Sequence, residues 1–167
     1  MPSTLMTDPD IYVVRGLVGV LSHDMSSRLF TNIREKYGLC YSVFANYEAY
    51  RDRGSIVGYI GARPELAQKA LDLLLEEFRK LQEGIDEEEL DRVKIGLKSG
   101  LIMRQESTMA RSSALSADWY FLNRIRPLSE IQAALEGLTV PRLLEYLEQH
   151  PFEKATVETL GPAPLTL

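Results

Sequence analysis

The residues best suited to chemistry lie close together in the segment MSSRLFTNIREKYGLCYSVFANY, residues 25–47. Arg34 and Tyr41 stand seven residues apart there, on either side of Gly38. A guanidinium offers rigid, paired hydrogen-bond donors, and a phenol adds a single O–H donor. From the residues alone, Arg34 does no more than complement the C-terminus of a helix, and Tyr41 is a half-buried strand residue. What such a basic-aromatic corner is for has to come from its surroundings.

Neighbouring residues offer less. Ser26, Ser27 and Arg28 have the makings of an anion-binding helix start, and capping hydroxyls with a structural arginine are the expected reading. Cys40 has only Arg34 and Lys36 as basic neighbours and reads as a small core filler. His23-Asp24 lacks a nucleophile or third member for a catalytic dyad and is expected in a surface loop. His23 and His150 are not in metal-ligand spacing, and a single cysteine excludes an internal disulfide or a cysteine zinc cluster, so no metal site is expected in this chain. The pair Trp119-Tyr120 is expected in the core or against a partner domain.

The chain has 167 residues, 45% apolar and 26% charged, the balance of one globular domain spanning 1–167. A net charge of -5 argues against a nucleic-acid binder. No apolar run approaches the roughly 18 residues that span a bilayer, so no membrane partner is expected. The start, MPSTLMTDPD, lacks the basic and apolar regions of a secretory signal, which favours a cytoplasmic location.

The elements that must hold the corner follow from periodicity. Ile11, Val14, Leu17, Val18 and Leu21 have helical spacing, with Asp8 or Asp10 as the cap. A second helix is predicted from Ser26 or Ser27 to Lys36, with Leu29, Phe30 and Ile33 on one stripe and Gly38 as its break. Residues 41–50 alternate, with Tyr41, Val43, Ala45, Tyr47 and Ala49 on one face. A turn at RDRG, with Gly54 able to take a positive φ, leads into a second strand over 55–62, whose Gly58 and Gly61 permit close approach of another backbone. Pro64 opens a helix lined by Ala70, Leu71, Leu74 and Phe78 and ended by Gly84. A capping box, Asp86 with Glu89, opens the next through Leu90, Val93, Leu97 and Leu101, and the acidic run 86–91 suits its positive end. A break at 106–108, a helix to about Asn123 and two short helices at Pro127 and Pro141 follow. The closing ATVETLGP reads as a brief strand. The order is α-α-β-β-α-α-α-α-α-β, an α+β fold with a short, mainly antiparallel sheet covered by helices.

The string MSSRLFTNIREKYGLCYS, residues 25–42, resembles the signature of the C-terminal, non-catalytic half of insulinase/pitrilysin-type zinc peptidases, the group that includes mitochondrial processing peptidase. The hairpin YEAYRDRGSIVGYIGARPE, the helix EEELDRVKIGLKSGL, the segment QESTMAR and the closing Gly161-Pro162 agree in order, so the resemblance covers nearly the whole chain. Leu21-Ser22-His23-Asp24 stands where many members have a glycine run. Members open with a strand upstream of DPD. Only MPSTLMT precedes it here, so that first strand is expected to be missing and an exposed sheet edge to favour a homodimer. The zinc motif H-x-x-E-H is absent.

The resemblance implies one half of a clam-shaped peptidase, with zinc held by an N-terminal domain or a partner subunit and this chain inactive alone. It implies a substrate-binding role for Arg34 and Tyr41, which in the family face the zinc site across a closed chamber and hold the peptide. The alternative is a scaffold relative with no role in proteolysis, as the core subunits of respiratory complexes are within this family.

Overall fold

A computed structural model describes residues 1–167. Three strands form one antiparallel sheet in the order β1–β3–β2, where β1 is Pro2–Ser3, β2 is Cys40–Ala49 and β3 is Gly54–Ala62. Around it lie α1 (Ile11–Ser22), a π-helix (Phe30–Glu35), α2 (Ala67–Lys80), α3 (Glu87–Glu106), α4 (Thr108–Leu122), α5 (Leu128–Glu136) and α6 (Val140–Gln149). This is the expected α+β arrangement of a small antiparallel sheet and covering helices.

The core sits on one face of the sheet. α1 is apolar nearly all round, with Val14, Leu17 and Leu21 fully enclosed, which makes it the central helix against β2, α3 and α6. Each such leucine contributes about 1.5–3 kcal/mol by leaving water. From the sheet, Ala45 and Ile56 point inward, while Phe44 and Tyr59 stack on the outer face with ring centroids 5.1 Å apart. α2 buries Ala70, Leu71, Leu74 and Phe78, as its spacing predicted. Glu89 accepts the Asp86 N–H at 3.0 Å, the back-reaching half of the anticipated box. α3, however, buries only Leu90 and Val93, leaving Leu97 and Leu101 half-exposed.

The structure corrects several expectations. The segment ahead of DPD supplies a two-residue first strand, paired Pro2 to Ser55 and Ser3 to Gly54. The Met1 ammonium and carbonyl extend this ladder by one pair, on Ile56 at 2.9 Å each. Beyond Ile56 the far edge of β3 is open along 57–62. The closing ATVETLGP is not a strand. Leu160 is fully exposed, and the tail is tied instead to α2, where Thr166 N–H donates to Gln68 Oε1 at 2.9 Å. It reaches neither edge of the sheet, and alternation alone builds no ladder.

The second helix is wider than predicted, a π-helix with the Lys36 N–H on the Thr31 carbonyl at 3.0 Å. Periods of 3.6 and wider cannot be told apart over six residues. Gly38 does take φ +60 after it, but Gly54 does not have a positive φ. It is needed because a Cβ there would collide with the Thr4 carbonyl and the Tyr47 hydroxyl. Gly58 and Gly61 face side chains, Phe78 and Tyr59 respectively, and no second backbone.

Gly54→Ala is therefore expected to lower stability by about 1–3 kcal/mol, the usual cost of overpacking. Thermal melting checks it, and an unchanged midpoint would mean that the first residues do not pack on β3.

Candidate functional site

The corner is built from two irregular elements held by the core. Leu29 and Ile33 are wholly buried and fix one side of the helix that leads to Gly38. A second side is pinned by polar bonds. Arg28 grips Glu89 of α3 through Nε at 2.8 Å and Nη2 at 2.6 Å, and Nη2 also reaches the Gly84 carbonyl at 2.8 Å. Four residues on, Asn32 Nδ2 donates to the buried Glu77 of α2 at 2.9 Å. With those two sides committed, Arg34 can only point to solvent. Gly38 then turns the chain, its N–H returning to the Arg34 carbonyl at 3.0 Å.

The strand start is the second irregularity. Cys40 pairs with Ala62 and Ser42 with Gly61, so Tyr41 is the extra residue of a β-bulge. Simple alternation put Tyr41 on one face with Val43 and Ala45, and that face is the one packed on the core. The bulge turns it out instead, to 87% exposure.

Arg34 and Tyr41 do come together. The Arg34 guanidinium carbon lies 6.0 Å from the Tyr41 ring centroid and 4.8 Å from that of Phe30. Contacts of this kind at exposed sites are worth about 0.5–1 kcal/mol each. Phe30 was expected in the apolar stripe. It is half-buried and works as a shelf beneath the guanidinium, a role its four-residue offset from Arg34 could have signalled. Arg34 enters none of the chain's ion pairs, so its donors remain available. Beside Tyr41 an open depression of about 520 Å³ runs between the start of β2 and the end of β3, lined by Ser42, Tyr59, Gly61 and Arg63 among others. Tyr59 and Arg63 were not anticipated. Only the β2–β3 register brings them here.

The remaining candidates resolve as structure. Ser27 Oγ accepts the Asp24 N–H at 3.0 Å, and Ser26 Oγ donates to the Asp24 carboxylate at 2.7 Å, so both hydroxyls are spent on the turn. That carboxylate is thus engaged away from His23, whose ring fills the space above Gly96 of α3. Burial pushes the Cys40 thiol up, against the pull of Arg34, which suits a filler. His150 stacks on Tyr146. No group of His, Cys, Asp and Glu could hold a metal ion, and no helix is long and apolar enough to cross a membrane. Trp119 and Tyr120 are 61% and 59% exposed, so neither is a core residue.

Residues 1–97, which include Arg34 and Tyr41, match the family described as the peptidase M16 inactive domain. The chain belongs to that family. It is 32% identical over 154 residues to YmxG, an uncharacterized zinc protease of Bacillus subtilis (strain 168), covering 92% of this chain and 38% of YmxG. Among solved structures, a protease from Helicobacter pylori superposes with a TM-score of 0.79 at 23% identity, over 89% of this chain and 36% of that one. A peptidase M16 inactive domain from Pseudomonas fluorescens does so at 0.74 and 24%, over 89% and 36%. These likenesses establish the fold. The M16 inactive domain seen here thus spans well under half the length of each of these proteins.

The Arg28–Glu89 pair makes a prediction about pH. Burial disfavours the Glu89 charge, but hydrogen bonds from Arg28 and from the Asp86 N–H outweigh it and hold the carboxyl below its ordinary value. A lowered folded-state pKa gives stability that is present above the unfolded value and lost as pH falls through the folded one. Glu89→Gln should cost about 2 kcal/mol at pH 7. The gap to wild type in thermal melts should close below roughly pH 4. A gap independent of pH would mean that the ion pair is not what matters.

Proposed function

We propose that this M16 inactive domain forms one wall of a peptidase chamber and holds the substrate peptide, while a zinc-bearing partner domain cleaves it. The observation that carries the reading is the convergence of Arg34 and Tyr41, both solvent-facing and neither committed to an ion pair.

The chemistry of the corner fits an extended peptide. The guanidinium presents two parallel donors that suit a backbone carbonyl or a substrate carboxylate. The phenol of Tyr41, thrown outward by the bulge, can donate to a carbonyl oxygen as it gains charge during attack. The open depression beside it offers Tyr59 as an apolar platform and Arg63 as a second cation. Zinc and the water-activating carboxylate belong to the partner domain in this reading, since this chain has no residues grouped to hold a metal.

Reconstitution with an H-x-x-E-H-bearing half tests the assignment. Tyr41→Phe should lower kcat by about 10²-fold, as expected for loss of one oxyanion donor. Arg34→Ala should mainly raise KM. Tyr41→Phe keeps the ring and should leave the thermal midpoint unchanged, whereas Arg34→Ala gives up its contacts with Phe30 and Tyr41 and should lower it by about a few degrees at most. If both variants turn over peptide like wild type, the clamp is wrong and a scaffold role takes its place.

A further inference from the structure

The helix α4 is hard to explain within this chain. Over fifteen residues it buries a single side chain, Asp118, and that one is polar. Its inward side offers only the half-buried Ala110, Ala117 and Phe121, and α3 is the element it packs against most. Asp118 fastens it at the other end, through Arg126 Nε at 3.1 Å and the Arg126 backbone N–H at 2.9 Å, with Arg126 Nη1 on the Tyr12 hydroxyl at 2.7 Å. A helix of this length gains little from propensity alone and normally depends on an apolar face packed against something.

Such a face exists, and it points to solvent. Met109, Leu115, Trp119 and Tyr120 are 45–79% exposed and fall on one arc of roughly 140°, at 100° per residue. Ser112 and Ser116 lie between them, so the stripe has small gaps between large residues. Ile102 and Met103, on the last turns of α3, are also exposed, at 54% and 68%. The segment's charge differs from that of the whole chain. Residues 98–126 carry five Lys or Arg against two Asp or Glu, in a protein of net charge -5. Arg104 and Arg111 enter no ion pair, whereas Lys98, Arg124 and Arg126 do.

We infer that α4, with the end of α3, is a docking surface for the zinc-bearing partner domain, which meets it with an apolar patch rimmed by carboxylates. This rests on the function proposed above. Two observations select that occupant over others. The local positive charge, with Arg104 and Arg111 unpaired, calls for an acidic surface, and a second copy of the chain would bring the same cations against them. The related zinc protease YmxG is more than twice as long as this chain, so there is ample protein to cover the stripe. Aromatic and methionine side chains are those enriched at the centres of interfaces.

Trp119 is the only tryptophan, which makes its fluorescence a reporter of this surface alone. The probe is a purified H-x-x-E-H-bearing half, titrated into the 167-residue chain while emission and acrylamide quenching are followed. Alone, Trp119 should emit as a hydrated indole and be readily quenched. On binding, its emission should shift to the blue and quenching should fall. Leu115→Asp keeps the reporter and alters an exposed position, so its thermal midpoint should match wild type while affinity drops about 10-fold or more. Binding with unchanged Trp119 emission and with normal affinity in Leu115→Asp would overturn this inference and leave the proposed function standing. Absence of any binding would remove both. A blue shift that grows with the concentration of the chain alone, and is lost in Leu115→Asp, would assign the face to a second copy and overturn the choice of partner.

Discussion

The grip of Arg28 on Glu89 is the interaction on which the site depends. It joins the start of the Arg34 helix to α3 across 61 residues of sequence, and Glu89 meanwhile closes the first turn of α3 through the Asp86 N–H. One carboxylate therefore sets both where α3 begins and how the neighbouring helix is rotated. The Asn32–Glu77 bond repeats the device one turn later, on α2. Both acceptors are shielded from water, so their bonds are stronger than surface equivalents and costly to leave unmade. With Leu29 and Ile33 sealed in the core between them, that helix has no rotational freedom left. Arg34 is outward because every other direction is taken.

Two departures from regular geometry then meet at one corner. The π-turn widens the helix by one residue per turn just before Gly38, and the β-bulge adds one residue to β2 just after it. Each forgoes some regular hydrogen bonding, and both are of the kind that gathers at functional sites. Their joint effect is geometric. Regular alternation would have sent the Tyr41 ring toward Val43 and Ala45, into the core. The bulge places it over the Arg34 guanidinium, at the mouth of an open depression.

Packing density is uneven across the molecule. α1, the inner face of the sheet, α2, Leu135 of α5 and α6 share one contiguous apolar core, in which α3 buries Leu90 and Val93 and against which it packs the half-buried Leu97 and Leu101. Beyond Leu101 the end of α3 is exposed, and α4 buries only the polar Asp118. The outer face of the sheet shows Phe44, Val57, Tyr59 and Tyr50 to solvent. Elements with few buried apolar contacts open most easily. A domain with a firm centre and two apolar exteriors is well suited to life beside another domain.

Much of this was legible in the sequence. Helical and alternating periods located α1, α2, β2 and β3, because burial on one side imposes those periods on the residues themselves. Gly38 and the Asp86–Glu89 box were readable as local stops and starts, since their physics acts within a few residues. The segment 25–42 carried the family, and with it the pairing of Arg34 and Tyr41. What the sequence could not show were relations between distant residues: which carboxylate holds Arg28, that Phe30 lies beneath Arg34, or that Gly54 is required by the Thr4 carbonyl. The closing ATVETLGP failed as a strand for the same reason, because a ladder needs a partner edge that alternation does not supply. The bulge at Tyr41 is the clearest case. Whether a tyrosine faces core or solvent turned on one residue of register between β2 and β3, and register is decided only when the two strands and the core beneath them are in place.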